Sequence, residues 1–221
     1  MKAMILAAGR GQRMRPFTDT TPKPMLEVRG KALIVRLIES LVHSGIRDVV
    51  INHAHLGNSI ETALGNGSRF GAAIQYSREA EALETAGGIT HALPLLGISP
   101  FVVVNGDIFC DFDFSGLVGR TLGRCLAHLV LVANPPHHPE GDFGLDGTQV
   151  LDAGKSDWTF SGIGLYRPEL FAGIKPGSRG QLATLLRHAM ARRQVSGEVH
   201  RGIWHDVGTP ERLAALNQTV A

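Results

Sequence analysis

The amino-acid sequence predicts an α/β fold: a doubly wound, mostly parallel, Rossmann-like sheet with a small antiparallel addition. In the first half of the chain, apolar strand segments alternate with segments of helical periodicity, which is typical of parallel sheets covered by helices. In the second half, short strand segments follow one another with few helices between them, which indicates antiparallel pairing. With 221 residues, 43% of them hydrophobic, the chain can form a single domain with a full core.

The first half divides into four strands and three helices. An apolar run begins the chain as a buried strand, and Leu33, Leu37 and Leu41 share one face of the first helix. A second continuous apolar run ends just before Asp107. We expect strands at residues 2–7, 49–51, 73–76 and 101–104, and helices at residues 32–44, 58–64 and 85–92. Ligands of such sheets bind at the carboxyl ends of the strands.

The second half contains a proline-rich loop at residues 135–139, which separates its first strand from the others. We expect strands at residues 127–132, 144–145, 149–151, 160–166 and 195–200, and helices at residues 181–192 and 210–219. The sequence shows no internal repeat and no linker-like segment. It therefore predicts one domain rather than two.

Composition excludes several classes of partner. The formal net charge of +2, without any basic run, predicts no nucleic-acid partner. The first apolar run stops at Gly9, which is too short for a signal peptide, and we expect no membrane span. Cys110 and Cys125 are too few for a disulfide framework, so the sequence predicts a cytoplasmic protein.

The loop after the first strand contains four residues suited to binding a polyphosphate. Gly9 and Gly11 let the backbone approach a ligand and direct its N–H groups toward it. Arg13 offers a rigid fork of donors for phosphate oxygens, and Lys23 offers a movable positive charge. Prolines within the loop keep it extended, because each lacks an N–H and disfavours a helix before it. This pattern indicates a nucleotide site.

Two other glycine-rich phosphate sites do not fit this loop. A dinucleotide-binding motif needs a third glycine three residues after Gly11, where Met14 stands. A P-loop needs a Gly-Lys-Ser or Gly-Lys-Thr ending that starts a helix, and the sequence has none.

The loop resembles the fingerprint of the sugar-1-phosphate nucleotidylyltransferases. The positions that match are Gly9, Gly11, Arg13, Pro16, Thr18, Pro22, Lys23, Pro24, Gly30 and Lys31. The similarity resumes at residues 104–107, 161–162 and 204–210, so it extends along nearly the whole chain. Gln12 stands where the family usually has threonine or serine, so only a backbone contact is implied there.

The resemblance implies a nucleotide site, with UTP as the expected nucleotide. The implied nucleotide-binding residues are Ala8, Gly9, Gly11, Gln12, Arg13, Lys23, Glu79, Thr85, Gly88 and Asn105. Arg13 and Lys23 are the expected catalytic residues, because they would neutralise phosphate charge. Glu79 can accept a hydrogen bond from the imino N–H that uracil and guanine share, so both bases stay open at this point.

Joining two anionic phosphates calls for a divalent cation, and we expect Mg²⁺. This ion is bound by one or two carboxylates together with phosphate oxygens and water. Asp107, after a buried strand, is the first expected ligand, and the resemblance implies Asp206 as the second. Asp111 and Asp113 are more simply explained as solvated loop residues.

The implied acceptor site lies in the second half of the chain. The expected sugar-binding residues are Gly144, Asp152, Ser161 and Glu140. Lys155 or Arg179 could face a carboxylate on the acceptor. Within the single domain 1–221, we expect a nucleotide-binding part at about residues 1–110, an acceptor-binding part at about residues 111–205, and a closing helix that extends to residue 221.

The resemblance implies an enzyme that transfers UMP from UTP to a sugar 1-phosphate and releases pyrophosphate. The length and the segment at residues 83–88 are similar to short bacterial uridylyltransferases of cell-wall recycling, so N-acetylmuramate α-1-phosphate is the expected acceptor. Two alternatives stay open: a mannose- or heptose-1-phosphate guanylyltransferase, and a non-catalytic regulatory subunit that binds nucleotide sugars. The presence of Lys23, Asp107 and Asp206 argues against the second alternative.

Overall fold

A nine-stranded sheet forms the centre of the computed structural model, which describes residues 1–152 and 156–218. The strands are β1 (Lys2–Leu6), β2 (Glu27–Val28), β3 (Lys31–Ala32), β4 (Asp48–His53), β5 (Ala73–Arg78), β6 (Phe101–Asn105), β7 (Ile108–Cys110), β8 (Ala127–Ala133), β9 (Gly144–Asp146), β10 (Gln149–Leu151), β11 (Trp158–Tyr166), β12 (Val195–Val199) and β13 (Trp204–Asp206). The α-helices are α1 (Leu33–His43), α2 (Gly57–Leu64), α3 (Glu84–Leu96), α4 (Leu182–Ala191) and α5 (Pro210–Gln218).

The order of strands in the sheet is β5-β4-β1-β6-β11-β8-β12-β10-β9. The first four strands are parallel to one another, as the alternation of strands and helices predicts. β11 then pairs antiparallel with both β6 and β8, and β10 pairs antiparallel with β12 and β9. The predicted α/β fold is confirmed, and its antiparallel strands continue the same sheet. The prediction of antiparallel pairing is wrong for one side of β12, which pairs parallel with β8 because the chain crosses over through α4 before it returns to the sheet.

The two faces of the sheet are covered by different helices. Ala3 and Ile5 of β1 pack with apolar residues of α1 and α2. Met4, which lies between them and points the other way, packs with residues of α3 and α4. This arrangement explains why the parallel strands are continuous apolar runs rather than alternating ones.

The register of the parallel strands brings their carboxyl ends to one edge. Leu6 is the register partner of both Asn52 in β4 and Asn105 in β6. The loop after β1 and the segment that leads to Asp107 therefore begin at the same level of the sheet.

A two-stranded ribbon outside the main sheet joins distant parts of the chain. β13 pairs antiparallel with β7, with Asp206 opposite Ile108 and Trp204 opposite Cys110. The backbone N–H of Val207 also donates to the Asp107 carbonyl over 2.9 Å. Burial raises the pKa of the Cys110 thiol to about 11, so this side chain packs as a small neutral group.

The predicted elements differ from the observed ones mainly at their ends. The third helix extends to Leu96, beyond the predicted residue 92, and β11 starts at Trp158 rather than at residue 160. The predicted last helix included residue 219, which lies outside the described residues. Among the helices in residues 1–152 and 156–218, none has the length and apolar character needed to cross a membrane.

Candidate active site

Three adjoining cavities lie along the edge where β1, β4 and β6 end. The first, the glycine-loop cavity, has a volume of about 250 Å³ and is lined by residues that include Ala8, Gly9, Lys23, Glu79, Thr85 and Asp107. The second, the Arg187 cavity, has a volume of about 520 Å³ and is lined by residues that include Thr85, Asp142, Phe143, Phe160, Leu186 and Arg187.

The third, the carboxylate cavity, has a volume of about 380 Å³ and is lined by residues that include Arg13, Asp107, His137, Asp206 and Arg212. Asn105, the last residue of β6, lines all three cavities. The cavities therefore meet at the end of this strand, and a ligand can extend from one into another.

Gly11 shapes the loop that follows β1. Its φ is +62°, and a Cβ at this position would lie 2.8 Å from Cγ2 of Thr18 and 3.3 Å from Cβ of Lys23. The Thr18 hydroxyl, on a buried side chain, donates to the Gly11 carbonyl over 2.8 Å. Only glycine combines this left-handed backbone with such close packing, and the loop returns so that Lys23 faces the sheet edge.

Lys23 and Asp107 form an ion pair at the junction of the cavities. Nζ of Lys23 donates a hydrogen bond to Oδ2 of Asp107, and the Lys23 side chain is 12% exposed. Gly106 allows this approach, because a Cβ there would lie 2.6 Å from the Leu6 carbonyl oxygen. Two residues predicted from separate motifs are thus in direct contact.

Glu79 is held rigidly at the wall of the glycine-loop cavity. Its Oε1 accepts a hydrogen bond from Nδ2 of Asn52 over 2.6 Å, and its Oε2 accepts one from the N–H of Leu83 over 2.9 Å. Gly88 makes room for this pair, because a Cβ there would lie 2.7 Å from Oε1. Each carboxylate oxygen has a second lone pair, so Glu79 can still accept a bond from a ligand.

Asp206 reaches the carboxylate cavity from the ribbon formed by β7 and β13. Its Oδ2 accepts a hydrogen bond from Nη1 of Arg212 over 2.6 Å. Its Oδ1 is buried, and none of the described residues directs a hydrogen-bond donor at it, although Nε2 of His137 lies 2.9 Å away. Gly208 leaves space for the pair with Arg212, because a Cβ there would lie 2.7 Å from Nη1.

The two aspartates fit a hard divalent cation rather than a closed metal centre. Asp107 and Asp206 line the same cavity, and the unsatisfied Oδ1 of Asp206 is an oxygen that a cation could use. Within residues 1–152 and 156–218, no three side chains of His, Cys, Asp or Glu converge as a metal site. Two carboxylates completed by phosphate oxygens and water are the donor set that suits Mg²⁺.

The predicted acceptor residues do not all converge. The Ser161 hydroxyl is buried and donates to the Val130 carbonyl over 2.7 Å, although Ser161 lines the carboxylate cavity. Gly144 begins β9, opposite Leu151 in β10. The carbonyl oxygen of Glu140 accepts the N–H of Ser156 over 3.0 Å.

The charged groups predicted beside the acceptor are also separated. Asp152 lies beyond β10 and pairs with Arg187 at the rim of the Arg187 cavity. Arg179 pairs with Glu81 over 3.2 Å, and both side chains are largely exposed. Lys155 lies outside the described residues.

The remaining predicted nucleotide residues occupy different parts of the site. Arg13 lines the carboxylate cavity, near the two aspartates rather than in the glycine-loop cavity. Gln12 begins a short 3-10 helix, Gln12–Met14, and is not among the residues that line the three cavities. Thr85 lies in the first turn of α3 and borders both the glycine-loop and the Arg187 cavities.

Asp111 and Asp113 have structural partners. The Asp113 carboxylate accepts hydrogen bonds from the hydroxyl and from the N–H of Ser115, over 2.6 and 2.9 Å, at the start of a short 3-10 helix. The bond from the hydroxyl, followed by the bond from the N–H, lowers the pKa of the Asp113 carboxyl. Asp111 pairs with Nε2 of His200 over 2.9 Å. Neither aspartate lines the three cavities.

Three side chains of the site are not predicted by the sequence: those of Arg187, Arg212 and His137. Arg187 and Arg212 lie on helices. In the sequence, an arginine of a helix that faces a cavity cannot be distinguished from one that faces solvent. His137 lies in the proline-rich loop, and its contact with Asp206 depends on the ribbon formed by β7 and β13.

Comparisons with known proteins show the family of this chain. The family model of the nucleotidyl transferases matches residues 2–221. This chain belongs to the nucleotidyl transferase family. It is 54% identical to N-acetylmuramate alpha-1-phosphate uridylyltransferase of Neisseria meningitidis serogroup B, over 96% of this chain and 95% of the relative. It is 32% identical to the protein of the same name from Caulobacter vibrioides, over 99% of this chain and 96% of the relative.

A solved structure shares the fold along nearly the whole chain. A Bacillus anthracis protein provisionally described as a glucose-1-phosphate thymidylyltransferase superposes with a TM-score of 0.86 at 25% identity, over 98% of this chain and 94% of that one. The resemblance recognised from the glycine-rich loop is confirmed. The chain is a nucleotidyltransferase, an enzyme whose substrates are a nucleoside triphosphate and a sugar 1-phosphate.

Proposed function

We propose that this enzyme transfers UMP from UTP to N-acetylmuramate α-1-phosphate in a reaction that depends on Mg²⁺. The observation that carries the proposal is the 54% identity to a uridylyltransferase of that name over nearly the full length of both chains. The three cavities that meet at Asn105 support the proposal, because the reaction needs room for a nucleotide, for the reacting phosphates and for an acceptor side by side. UTP is a cytoplasmic metabolite, so we assign the reaction to the cytoplasm.

The glycine-loop cavity is the proposed nucleotide site, within a nucleotide-binding part at about residues 1–110. Backbone N–H groups of the loop around Gly9 and Gly11 would bind the triphosphate. Glu79, fixed by Asn52 and Leu83, would accept the imino N–H of uracil through a free lone pair. The proposed acceptor-binding part is about residues 111–205, whereas Leu213 and Leu216 of α5 pack with Met14, Leu26, Val28 and Leu33 of the nucleotide-binding part.

Chemistry takes place where the glycine-loop and carboxylate cavities meet. A phosphate oxygen of the acceptor attacks the α-phosphorus of UTP; a new P–O bond forms, and the bond to the bridging oxygen breaks with its electron pair leaving on pyrophosphate. The acceptor phosphate is already ionised, so no protein base is required. Lys23 and Arg13 lower the barrier by neutralising the charge of the approaching phosphates.

Asp107 and Asp206 are the proposed Mg²⁺ ligands. When bound, the cation would supply positive charge to both reacting phosphate groups. In the ligand-free arrangement Lys23 pairs with Asp107, and Arg212 pairs with Asp206. These two cations thus hold the carboxylates in place at the carboxylate cavity.

The experiment is a matrix assay of pyrophosphate release. Each of UTP, GTP, CTP and TTP is combined with the 1-phosphates of N-acetylmuramate, N-acetylglucosamine, mannose and glucose. We expect the highest kcat/KM for UTP with N-acetylmuramate α-1-phosphate. A clear preference for GTP with mannose 1-phosphate would replace this proposal with a guanylyltransferase of the same family.

A further inference from the structure

The Arg187 cavity continues from the reaction centre toward α4. It shares Glu84, Thr85 and Asn105 with the glycine-loop cavity, and it shares Asn105 and Phe160 with the carboxylate cavity. Its volume of about 520 Å³ exceeds the 250 Å³ of the glycine-loop cavity. A sugar whose phosphate lies near Asn105 therefore has room for its ring and substituents in this cavity.

The lining of this cavity combines an apolar surface with neutral polar side chains, which are Thr85, Asn105 and Gln181, and with three charged ones, which are Glu84, Asp142 and Arg187. The apolar surface is formed by Phe143, which directly precedes β9, by Phe160 of β11, and by Leu182 and Leu186 of α4. Such a surface suits the methyl group of an N-acetyl substituent and that of a lactyl ether, but it gives no favourable contact to a carboxylate.

The acidic side chains of the cavity do not favour an anion either. Asp142 is engaged on both oxygens: Oδ1 lies 3.1 Å from Nε2 of His138, and Oδ2 accepts the N–H of Phe160 over 2.8 Å. Glu84, at the start of α3, is exposed. An anionic substituent thus needs a cation in the same cavity.

Arg187 is the one cationic side chain among the described residues that line this cavity. Its Nε donates to Oδ1 of Asp152 over 3.0 Å, with the two side chains 52% and 47% exposed. A bond through Nε orients the guanidinium, and its terminal nitrogens carry four further N–H donors. That fork matches the two oxygens of a carboxylate.

We infer that Arg187 binds the carboxylate of the 3-O-lactyl group of the acceptor and sets the preference for a carboxylated amino sugar over its neutral counterpart. This inference rests on the proposed function. Asp152 is then a positioning residue that orients Arg187, and its role is indirect. Arg179 pairs with Glu81 and lines none of the three cavities, so it does not serve this purpose.

The test compares Arg187→Gln with Arg179→Gln as the matched control. For wild type and both variants, kcat and KM are measured with UTP and three acceptors: the 1-phosphates of N-acetylmuramate, its lactyl amide, and N-acetylglucosamine. For Arg187→Gln we expect kcat/KM on the carboxylated acceptor to fall at least tenfold, mainly through KM, with the neutral acceptors within about twofold of wild type. Arg179→Gln should leave all three unchanged.

Arg187→Lys provides a second variant that keeps the positive charge and loses the fork. We expect it to retain part of the preference for the carboxylate over the amide. Arg187 does not bind the carboxylate if either variant keeps the wild-type ratio of kcat/KM for the carboxylated acceptor to kcat/KM for the amide, or if it loses activity equally on all acceptors. The proposed function stands in both cases. If wild type itself shows no preference for the carboxylated acceptor, the proposed function fails and this inference fails with it.

Discussion

At the scale of single residues, the site is organised by opposite charges already in contact. Lys23 hydrogen-bonds to Asp107, and Arg212 hydrogen-bonds to Asp206. When Mg²⁺ and the substrate phosphates bind, the two carboxylates would contact the metal and the two cationic side chains would contact phosphate. Each charge would then have a partner both before and after substrate binding. Of the two cations, we expect Lys23 to contribute more to catalysis than Arg212, because its side chain is more buried. A poorly solvated charge interacts more strongly with phosphate than an exposed one.

Replacing Lys23 with alanine should therefore impair catalysis more than folding. We expect kcat/KM to fall more than tenfold, a loss above about 1.4 kcal/mol of transition-state stabilisation. Lys31→Ala is the matched control, because Lys31 forms an exposed pair with Glu39 away from the cavities. Steady-state kinetics of both variants test this, and wild-type rates for Lys23→Ala would remove this lysine from the mechanism.

Asp107→Asn should change the dependence of the rate on metal. The amide keeps the size of the side chain and removes the charge that a hard cation prefers. We expect turnover to be lost at ordinary Mg²⁺ and partly restored at high Mg²⁺ or Mn²⁺. Rates are measured over a titration of each ion, with Asp111→Asn as the control. An unchanged metal dependence would mean that Asp107 only forms the turn after β6.

At the scale of secondary-structure elements, a charged cluster joins α2 to two strands of the sheet. Glu61 of α2 accepts hydrogen bonds from Nε and Nη2 of Arg78 in β5, over 2.7 and 2.6 Å. The ring of His53 in β4 lies 2.6 Å from the same carboxylate. The hydrogen bond from Arg78 is the main cause that lowers the pKa of Glu61 to about 2, against the opposing effect of burial.

This lowered pKa predicts how acid weakens the protein. A carboxylate whose folded pKa lies below its unfolded value stabilises the fold above the unfolded value of 4.5, and the contribution is lost as pH falls toward about 2. Glu61→Gln should thus be less stable than wild type near pH 7, and the difference should shrink below pH 4.5.

Urea unfolding at several pH values measures this effect. Glu39→Gln, which removes an exposed pair, is the matched control and should give the smaller difference near pH 7. A difference between Glu61→Gln and wild type that does not change with pH would show that the cluster adds no charge-dependent stability.

At the scale of the whole molecule, the sequence predicts the half of the site that lies on the parallel sheet. Continuous apolar strands and the residues that follow them place the glycine loop, Lys23 and Asp107 at one edge, because parallel strands share their carboxyl ends. The convergence of Asp206 depends on the ribbon of β7 and β13, whose strands have three residues each. Such short segments have no recognisable period, and their pairing is set by tertiary packing.

The acceptor half is predicted less well for a related reason. The sequence correctly predicts that Ser161 lies in a strand. The direction of its side chain, however, depends on an irregularity in β11 between Phe160 and Ile163. Gly162, with a φ of +82°, allows that irregularity beside Asn105. Arg187 has no sequence signal, because its role depends on which face of α4 meets the cavity.

The most direct test of the central claim is a competition assay in one mixture. UTP and Mg²⁺ are supplied with equal concentrations of the 1-phosphates of N-acetylmuramate and N-acetylglucosamine, and the two UDP-sugars are quantified by mass spectrometry at low conversion. The ratio of products equals the ratio of the two kcat/KM values. We expect at least tenfold more UDP-N-acetylmuramate, a difference of about 1.4 kcal/mol. Equal amounts of the two products would contradict the proposed acceptor.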